Sequence, residues 1–194
     1  MNHLAHCMLS FGDEALLTGN FMGDYVKGNQ WERYPAGIQK GILLHRSIDA
    51  FTDGHPKVQL SVSRIRGWAG RYAGPVTDIL YDHLLCRSWG RHTQRQFDDF
   101  AQQTYNQLAA QQEMMPPGLQ RHLPAMISGR FLHGYQHREG LEFVFGKFAR
   151  RLPVEVDFHQ LLEHFFENMA LFQSDFDYFF PELLEKAQSI AENE

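Results

Sequence analysis

Hydrophobic residues recur along this chain at the spacing of helices and not at that of strands. Residues 158–180 place an aromatic or aliphatic side chain at every third or fourth position, and shorter runs with this spacing begin at Phe97, Leu123 and Leu141. No segment shows the sustained apolar–polar alternation that a half-buried strand requires. The pattern predicts an all-α fold whose second half is scaffold, with Pro181 breaking or restarting the last helix.

In the first half, the predicted helices carry acidic and imidazole groups on apolar faces. The stretch 38–56 is the clearest case, and one stripe of its helix collects Ile38, Ile42, His45, Asp49 and Thr52. Because this stripe begins apolar, we expect it to face the core. Burial of an imidazole and a carboxylate there is costly unless they are paired or bind a metal. Gly54 offers a left-handed position that ends the helix, and Pro56 is expected to keep it from resuming at once.

A second helix, over residues 75–89, carries two carboxylates on a mostly apolar surface. Asp78 and Asp82 lie one turn apart on it, so both are expected to be at least partly enclosed. Carboxylates in such a place are candidates for a functional site. An ion pair with an arginine is the structural alternative.

The N-terminal segments add one histidine and one aspartate. Residues 1–11 are expected to form a short apolar helix or a buried strand, on which His6 is either a ligand or an ordinary core histidine. Asp24 directly follows Gly23 in a glycine-rich stretch, which is typical of tight turns. Its carboxylate either caps a helix or points into a site.

Composition predicts a single cytoplasmic domain. The 194 residues, of which 43% are hydrophobic and 21% charged, suit one globular domain over 1–194. No apolar run approaches the ~18 residues that a membrane helix needs, and the first residues lack the basic region of a signal peptide. Cys7 and Cys86 lie far apart and outside any CxxC pattern, so a reducing compartment is expected.

Charge is distributed unevenly along the chain, although the net charge is only −5. Residues 64–95 hold six arginines against two aspartates, a balance of +4, and residues 96–194 hold 15 acidic against 7 basic residues, a balance of −8. Arg64, Arg66 and Arg71 fall within eight residues. A basic segment on an acidic protein indicates a specific anionic partner more than general nucleic-acid binding. Scattered, solvated arginines are the alternative.

The polar groups that interrupt apolar faces all precede residue 84. They are His6, Asp24, His45, Asp49, Asp78, Asp82 and His83. Mixed imidazole and carboxylate ligands suit Mn²⁺, Fe²⁺ or Zn²⁺, and such an ion can activate water and neutralise a phosphoryl oxygen. The sequence lacks a serine or cysteine nucleophile motif and a phosphate-cradling loop, so metal-assisted hydrolysis is the reaction class favoured. His133 and His137 have HxxxH spacing, but without the intervening glutamate a zinc site there is disfavoured.

These motifs carry a resemblance to known hydrolases. Gly41-Ile-Leu-Leu-His-Arg46 resembles the helix of the histidine–aspartate (HD) metal phosphohydrolases, except that Arg46 stands where the aspartate is expected. Five segments taken together resemble the acyl-carrier-protein phosphodiesterase family. They are Asn2-His-Leu-Ala-His6, Gly19-Asn-Phe-Met-Gly-Asp24, Leu44-His-Arg-Ser-Ile-Asp-Ala-Phe-Thr-Asp-Gly-His-Pro56, Arg71-Tyr-Ala-Gly74 and Asp78-Ile-Leu-Tyr-Asp-His83. The match covers roughly the first 90 residues and the Phe-Phe-Pro-Glu segment near 180, and it is loose between them.

The resemblance implies a helical, distorted HD-like enzyme that uses Mn²⁺, with other divalent metals possible. It would hydrolyse the phosphodiester joining 4′-phosphopantetheine to a serine of holo-acyl carrier protein, releasing the apo-protein. The metal ligands expected by position are Asp24, His45, Asp49 and Asp78, followed by Asp82 and His6. Arg46 would hold a phosphate oxygen, and the segment with Arg64, Arg66 and Arg71 would face the acidic carrier protein.

Two other functions stay open at this point. One is an HD-like hydrolase that acts on a nucleotide or another small phosphoester. The other is a non-catalytic helical binding module, in which the buried histidines and aspartates pair only with arginines. Retention of metal would separate the enzymes from the module, and turnover of holo-carrier protein but not of nucleotides would separate the two enzymes.

Overall fold

The computed structural model describes residues 1–153 and 156–192 of the chain, and within them it contains only helices and their connections. The α-helices are α1 His3–Met8, α2 Glu14–Phe21, α3 Ala36–Gly54, α4 Pro56–Ala69, α5 Ala73–Arg87, α6 Trp89–His92, α7 Phe97–Ala110, α8 Pro117–Ser128, α9 Arg138–Ala149, α10 Phe158–Glu167 and α11 Met169–Glu192. Short 3₁₀ helices span Gly23–Tyr25, Gln30–Arg33, Gly70–Tyr72, Gln112–Met114 and Phe131–Tyr135. The predicted all-α class is confirmed.

Helices α2 and α3 cross with their backbones in direct contact, and two glycines permit it. A Cβ on Gly19 would meet the carbonyl oxygen of Ile38, and a Cβ on Gly41 would meet that of Leu16. Any larger side chain at either position would push the helices apart. The crossing places residue 20, which follows Gly19, beside His45, which lies one turn after Gly41.

The predicted aromatic stripe of the second half forms a core against which the first half packs. Phe165 of α10 contacts Phe172 of α11 with ring centroids 5.1 Å apart, and Tyr81 of α5 meets Phe176 of α11 edge-on at 5.3 Å. Helix α11 also packs against α3 and α4. The second half thus fixes the three helices that carry most of the candidate residues.

Two of the predicted details at helix ends are wrong. Pro181 lies inside α11, which continues to Glu192, because buried Phe180 and Leu183 flank it and their packing offsets one lost backbone hydrogen bond. Helix α3 ends at Gly54, as predicted, but Gly54 does not adopt the left-handed conformation that was expected of it. Helix α4 begins at Pro56 itself, since proline suits the first position of a helix.

No helix in the described ranges combines the length and the apolar character needed to cross a membrane.

Candidate active site

The predicted stripe of α3 meets α1 at a buried histidine pair. His45 on α3 is 5% exposed, His6 on α1 is 4% exposed, and their rings stack with centroids 4.2 Å apart. Nε2 of His6 lies 3.2 Å from Oδ1 of Asp49, and Nε2 of His45 lies 3.1 Å from Oδ2 of the same carboxylate. Taking one ligand atom from each, the three residues lie within 4.8 Å of one another, a spacing that can hold a metal ion.

The Nδ1 atom of His45 is used in a hydrogen bond, which leaves its Nε2 atom available as a metal ligand. Nδ1 lies 2.8 Å from the carbonyl oxygen of Asn20, to which it donates its proton. Nε2 is buried and makes no aligned hydrogen bond with any of the described residues, although Asp49 is close. A buried polar atom without a partner is costly, so its environment fits an ion better than an empty space. Gly23 allows this approach, because a Cβ there would collide with the His45 ring.

The charges of the cluster favour a second proton on His45, at Nε2, when no ion is bound. Burial alone would lower the pKa of His45, but the adjoining carboxylates of Asp24 and Asp49 outweigh it and raise that pKa to about 9. Burial would raise the pKa of Asp49, but His45 and His6 hold it well below its usual range. Burial lowers the pKa of His6, which is therefore neutral at neutral pH. A cation bound at Nε2 of His45 would replace that proton.

Two further aspartates border the cluster. Asp24 lies in the 3₁₀ helix Gly23–Tyr25, with Oδ1 3.4 Å from Nε2 of His45 and a side chain that is 73% exposed, so it stands at the entrance. Oδ1 of Asp78 on α5 lies 3.1 Å from the amino nitrogen of Met1, which is itself 3.8 Å from Asp49. The structure therefore gathers Asp24, Asp49 and Asp78 around the histidines, with Asp78 at the far side.

Asp82 differs from the expectation that it faces the ligand cluster. It is fully buried, and its carboxylate accepts hydrogen bonds from the backbone nitrogens of Leu4 at 2.7 Å and Ala5 at 3.2 Å. The first N–H groups of a helix have no partner within the helix, and Asp82 supplies one from α5. Its role is thus to hold α1, the helix that carries His6, in place.

Arg46 makes contacts that hold the loop after Asp24. Its guanidinium donates to the carbonyl oxygens of Val26 at 3.1 Å and Gly28 at 2.7 Å. These contacts fix the segment that leads away from the site entrance. A contact between Arg46 and a phosphate oxygen stays a prediction.

The three arginines of the basic segment have different surroundings. Arg64 forms an ion pair with the buried carboxylate of Asp175 on α11, which Lys57 also approaches at 3.7 Å. Arg64 is therefore paired with a buried carboxylate within the protein. Arg66 and Arg71 are exposed, and the guanidinium of Arg71 lies over the ring of its neighbour Tyr72.

Replacing Arg64 by alanine is expected to lower the free energy of unfolding by about 3 kcal/mol, because it leaves the charge of Asp175 buried with a weaker partner. Chemical denaturation of the purified variant measures this. Arg66→Ala is the matched control, since Arg66 is exposed on the same helix and its loss should change stability by no more than ~0.5 kcal/mol. Equal effects of the two substitutions would contradict the assignment.

The remaining candidate histidines lie outside the cluster. Nδ1 of His83 donates to the carbonyl oxygen of Tyr135 at 2.8 Å. Nε2 of His133 lies 2.9 Å from Asp98, and His137 takes no part in that contact, so the HxxxH spacing does not form a shared site. The residue that sequence reasoning missed is Asn20, whose signal was its position beside Gly19 on the face that meets α3.

Fold and site together define an all-helical protein whose buried histidine pair faces a group of carboxylates. A family model described as acyl carrier protein phosphodiesterase matches residues 1–183. The chain belongs to this family, whose name denotes phosphoric diester hydrolases.

Curated relatives agree with the family match. A protein named acyl carrier protein phosphodiesterase from Escherichia coli O6:K15:H31 (strain 536 / UPEC) is 30% identical over 196 residues, covering 96% of this chain and 97% of the relative. A protein of the same name from Serratia proteamaculans (strain 568) is 28% identical, covering 97% of this chain and 98% of the relative. Another from Klebsiella pneumoniae (strain 342) is 32% identical, covering 79% of this chain and 80% of the relative. No solved structure matches the chain.

Proposed function

We propose that this protein hydrolyses the phosphodiester that links 4′-phosphopantetheine to the serine of holo-acyl carrier protein, with a divalent cation, Mn²⁺ in the first place, as cofactor. The observation that carries the proposal is the set of His6, His45 and Asp49 ligand atoms within 4.8 Å of one another. Family membership and the names of the relatives support the choice of substrate.

The residues present fit a divalent cation. His6 and His45 would hold it through Nε2, and Asp49 through its carboxylate, because these atoms converge and Nε2 of His45 has no aligned partner among the described residues. Asp24 and Asp78 add negative charge at the border, which suits the harder cations. When bound, such an ion lowers the pKa of a water molecule and neutralises charge on a phosphoryl oxygen.

The reaction adds water to phosphorus and breaks the bond between phosphorus and the serine oxygen, which leaves with a proton. Asp24 is the exposed carboxylate at the entrance, and His45 lowers its pKa, so it stays ionised and can accept a hydrogen bond from the attacking water. Asp49 is held ionised between the two histidines and keeps their Nε2 atoms on one side of the site. Arg46 keeps the loop after Asp24 in position.

Mass spectrometry of holo-acyl carrier protein after incubation with the enzyme and Mn²⁺ tests the proposal. We expect conversion to the apo-protein with release of 4′-phosphopantetheine, and no conversion after metal removal by a chelator. A nucleotide panel under the same conditions should stay intact. Turnover of nucleotides with intact holo-protein would instead support the small-phosphoester hydrolase.

We propose further that Arg66 and Arg71 contribute to docking of the acidic carrier protein. Both guanidinium groups are exposed, and Arg71 lies in the 3₁₀ helix Gly70–Tyr72 that leads into α5, the helix that carries Asp78. Both arginines belong to the sequence segment 64–95, whose balance is +4, whereas residues 96–194 have a balance of −8. Such charges mainly raise the association rate and add salt dependence.

Single Arg66→Ala and Arg71→Ala substitutions are expected to raise KM for holo-carrier protein several-fold and to leave kcat largely unchanged. Exposed charges each contribute about 1 kcal/mol or less, which sets the size of the effect. The fall of kcat/KM with added salt should also become shallower in both variants. Steady-state kinetics at two salt concentrations measure this, with Arg121→Ala on α8 as an exposed control. An unchanged KM and salt response in both variants would refute the docking surface.

A further inference from the structure

We infer that Asn20 is a positioning residue that orients both imidazoles of the site through two different oxygen atoms. Its side-chain Oδ1 lies 2.7 Å from Nδ1 of His6, and its backbone carbonyl oxygen lies 2.8 Å from Nδ1 of His45. Asn20 is fully buried on α2. The inference rests on the proposed function in one respect, the use of the two Nε2 atoms as metal ligands.

The surrounding hydrogen bonds fix which end of the Asn20 amide faces His6. Nδ2 of Asn20 donates to the carbonyl oxygen of His6 at 2.8 Å and to Oγ of Ser10 at 3.1 Å. Oγ of Ser10 donates to the same carbonyl at 2.9 Å, so it is an acceptor toward Asn20. A reversed amide would set two oxygens against each other. Oδ1 therefore accepts from the ring at Nδ1 of His6. Nε2 of His6 also faces an acceptor, the carbonyl oxygen of Met1, but at 3.2 Å this contact is longer than the 2.7 Å contact at Nδ1, so we assign the proton to Nδ1.

A histidine that donates from Nδ1 keeps the lone pair of Nε2 for a ligand. Asn20 imposes this form on both rings, and it does so from a helix whose position is fixed by the glycine contacts between α2 and α3. Because the two rings stack at 4.2 Å, a turn of either ring would also displace the other. Loss of an outer hydrogen-bond partner of a metal-binding histidine typically lowers metal affinity 10–100-fold.

Asn20→Leu separates the two contacts, since it removes the acceptor for His6 and keeps the backbone carbonyl for His45. In metal-free, ¹⁵N-labelled protein above neutral pH, we expect His6 of the parent to hold its proton at Nδ1. In Asn20→Leu, His6 should populate the form protonated at Nε2, while Nδ1 of His45 keeps its proton. Calorimetric titration with Mn²⁺ should show an affinity about 10–100-fold below that of the parent.

Ser10→Ala is the matched control. Ser10 is fully buried in the same network, but its hydrogen bonds go to the Asn20 amide and the His6 carbonyl oxygen and not to a ring nitrogen. We expect this variant to keep the parent's His6 tautomer and Mn²⁺ affinity. Asn20→Asp serves as the conservative variant, because it retains an oxygen toward Nδ1 of His6, and it should keep the Nδ1 proton even if its stability falls.

The inference is wrong if Asn20→Leu leaves the His6 tautomer unchanged, or if Ser10→Ala lowers Mn²⁺ affinity as much as Asn20→Leu does. If Asn20→Leu does not fold, Asn20→Asp decides, and loss of the Nδ1 proton from His6 in that variant overturns the assignment. The tautomer is read without metal and without substrate. A failure of Asn20 as a positioning residue is therefore distinguishable from a failure of the proposed hydrolysis.

Discussion

Replacing His45 by alanine is expected to abolish hydrolysis of holo-acyl carrier protein. His45 provides the one candidate ligand atom in the described cluster that is buried and has no aligned hydrogen-bond partner. If His45 is a direct metal ligand, as proposed, its removal should lower kcat/KM by more than the ~100-fold that marks the loss of an outer hydrogen-bond partner. Asp24→Ala should likewise abolish turnover, since it removes the carboxylate at the entrance.

The measurement is conversion of holo- to apo-carrier protein, read by mass spectrometry with Mn²⁺ present. His122→Ala on α8 is a suitable control, because His122 is exposed and lies on another part of the chain. Circular dichroism should show that every variant is folded. If folded His45→Ala turns over at a near-parent rate at modest Mn²⁺ concentration, His45 is not a ligand.

The stripe on α3 shows which parts of the site hydrophobic periodicity can predict. His45 and Asp49 are one helical turn apart, and the apolar residues before them indicate which face is buried, so their proximity follows from local sequence alone. The arrival of His6 from α1 does not follow, because no local pattern states which helix packs against which. The apolar N-terminal segment and the family resemblance each made His6 a candidate, but only the structure shows its ring against His45.

Contacts between residues that are far apart in the sequence could not be predicted, for the same reason. Arg64 and its partner Asp175 are separated by 111 positions, and a run of arginines looks alike whether they face a partner or a buried carboxylate. Pro181 was misjudged because a proline ends an isolated helix, whereas here the packing of Phe180 and Leu183 keeps the helix continuous. In each case tertiary packing decided what local chemistry left open.

Asp78 and Asp82 are the sharpest example, because they are equivalent in the sequence pattern and different in the structure. Both lie on α5, one turn apart. Asp78 faces the amino nitrogen of Met1 beside the ligand cluster, and Asp82 accepts from the backbone of α1. Which carboxylate reaches the site depends on where α1 packs on α5. The two residues therefore call for different tests.

Asp82→Asn is expected to change how stability depends on pH. Burial raises the pKa of Asp82 to about 7, against the opposing effect of the Leu4 N–H group, compared with about 3.9 in an unfolded chain. As the pH rises from about 4 to about 7, the unfolded chain gives up this proton and the folded protein keeps it, so the parent loses stability. The loss is absent below pH ~4 and complete above pH ~7, and it is on the order of 4 kcal/mol.

Asparagine does not titrate, so this pH-dependent loss disappears in Asp82→Asn. At pH ~4 the variant should be less stable than the parent, because its amide offers one acceptor where the carboxylic acid offered more to the N–H groups of Leu4 and Ala5. The deficit should shrink as the pH rises toward 7. Urea denaturation of metal-free parent and variant at several pH values gives the difference directly, with exposed Asp99→Asn as control. If the difference in unfolding free energy between parent and Asp82→Asn stays constant from pH ~4 to pH ~7, Asp82 is ionised throughout that range. The N–H groups at the start of α1 would then stabilise its charge.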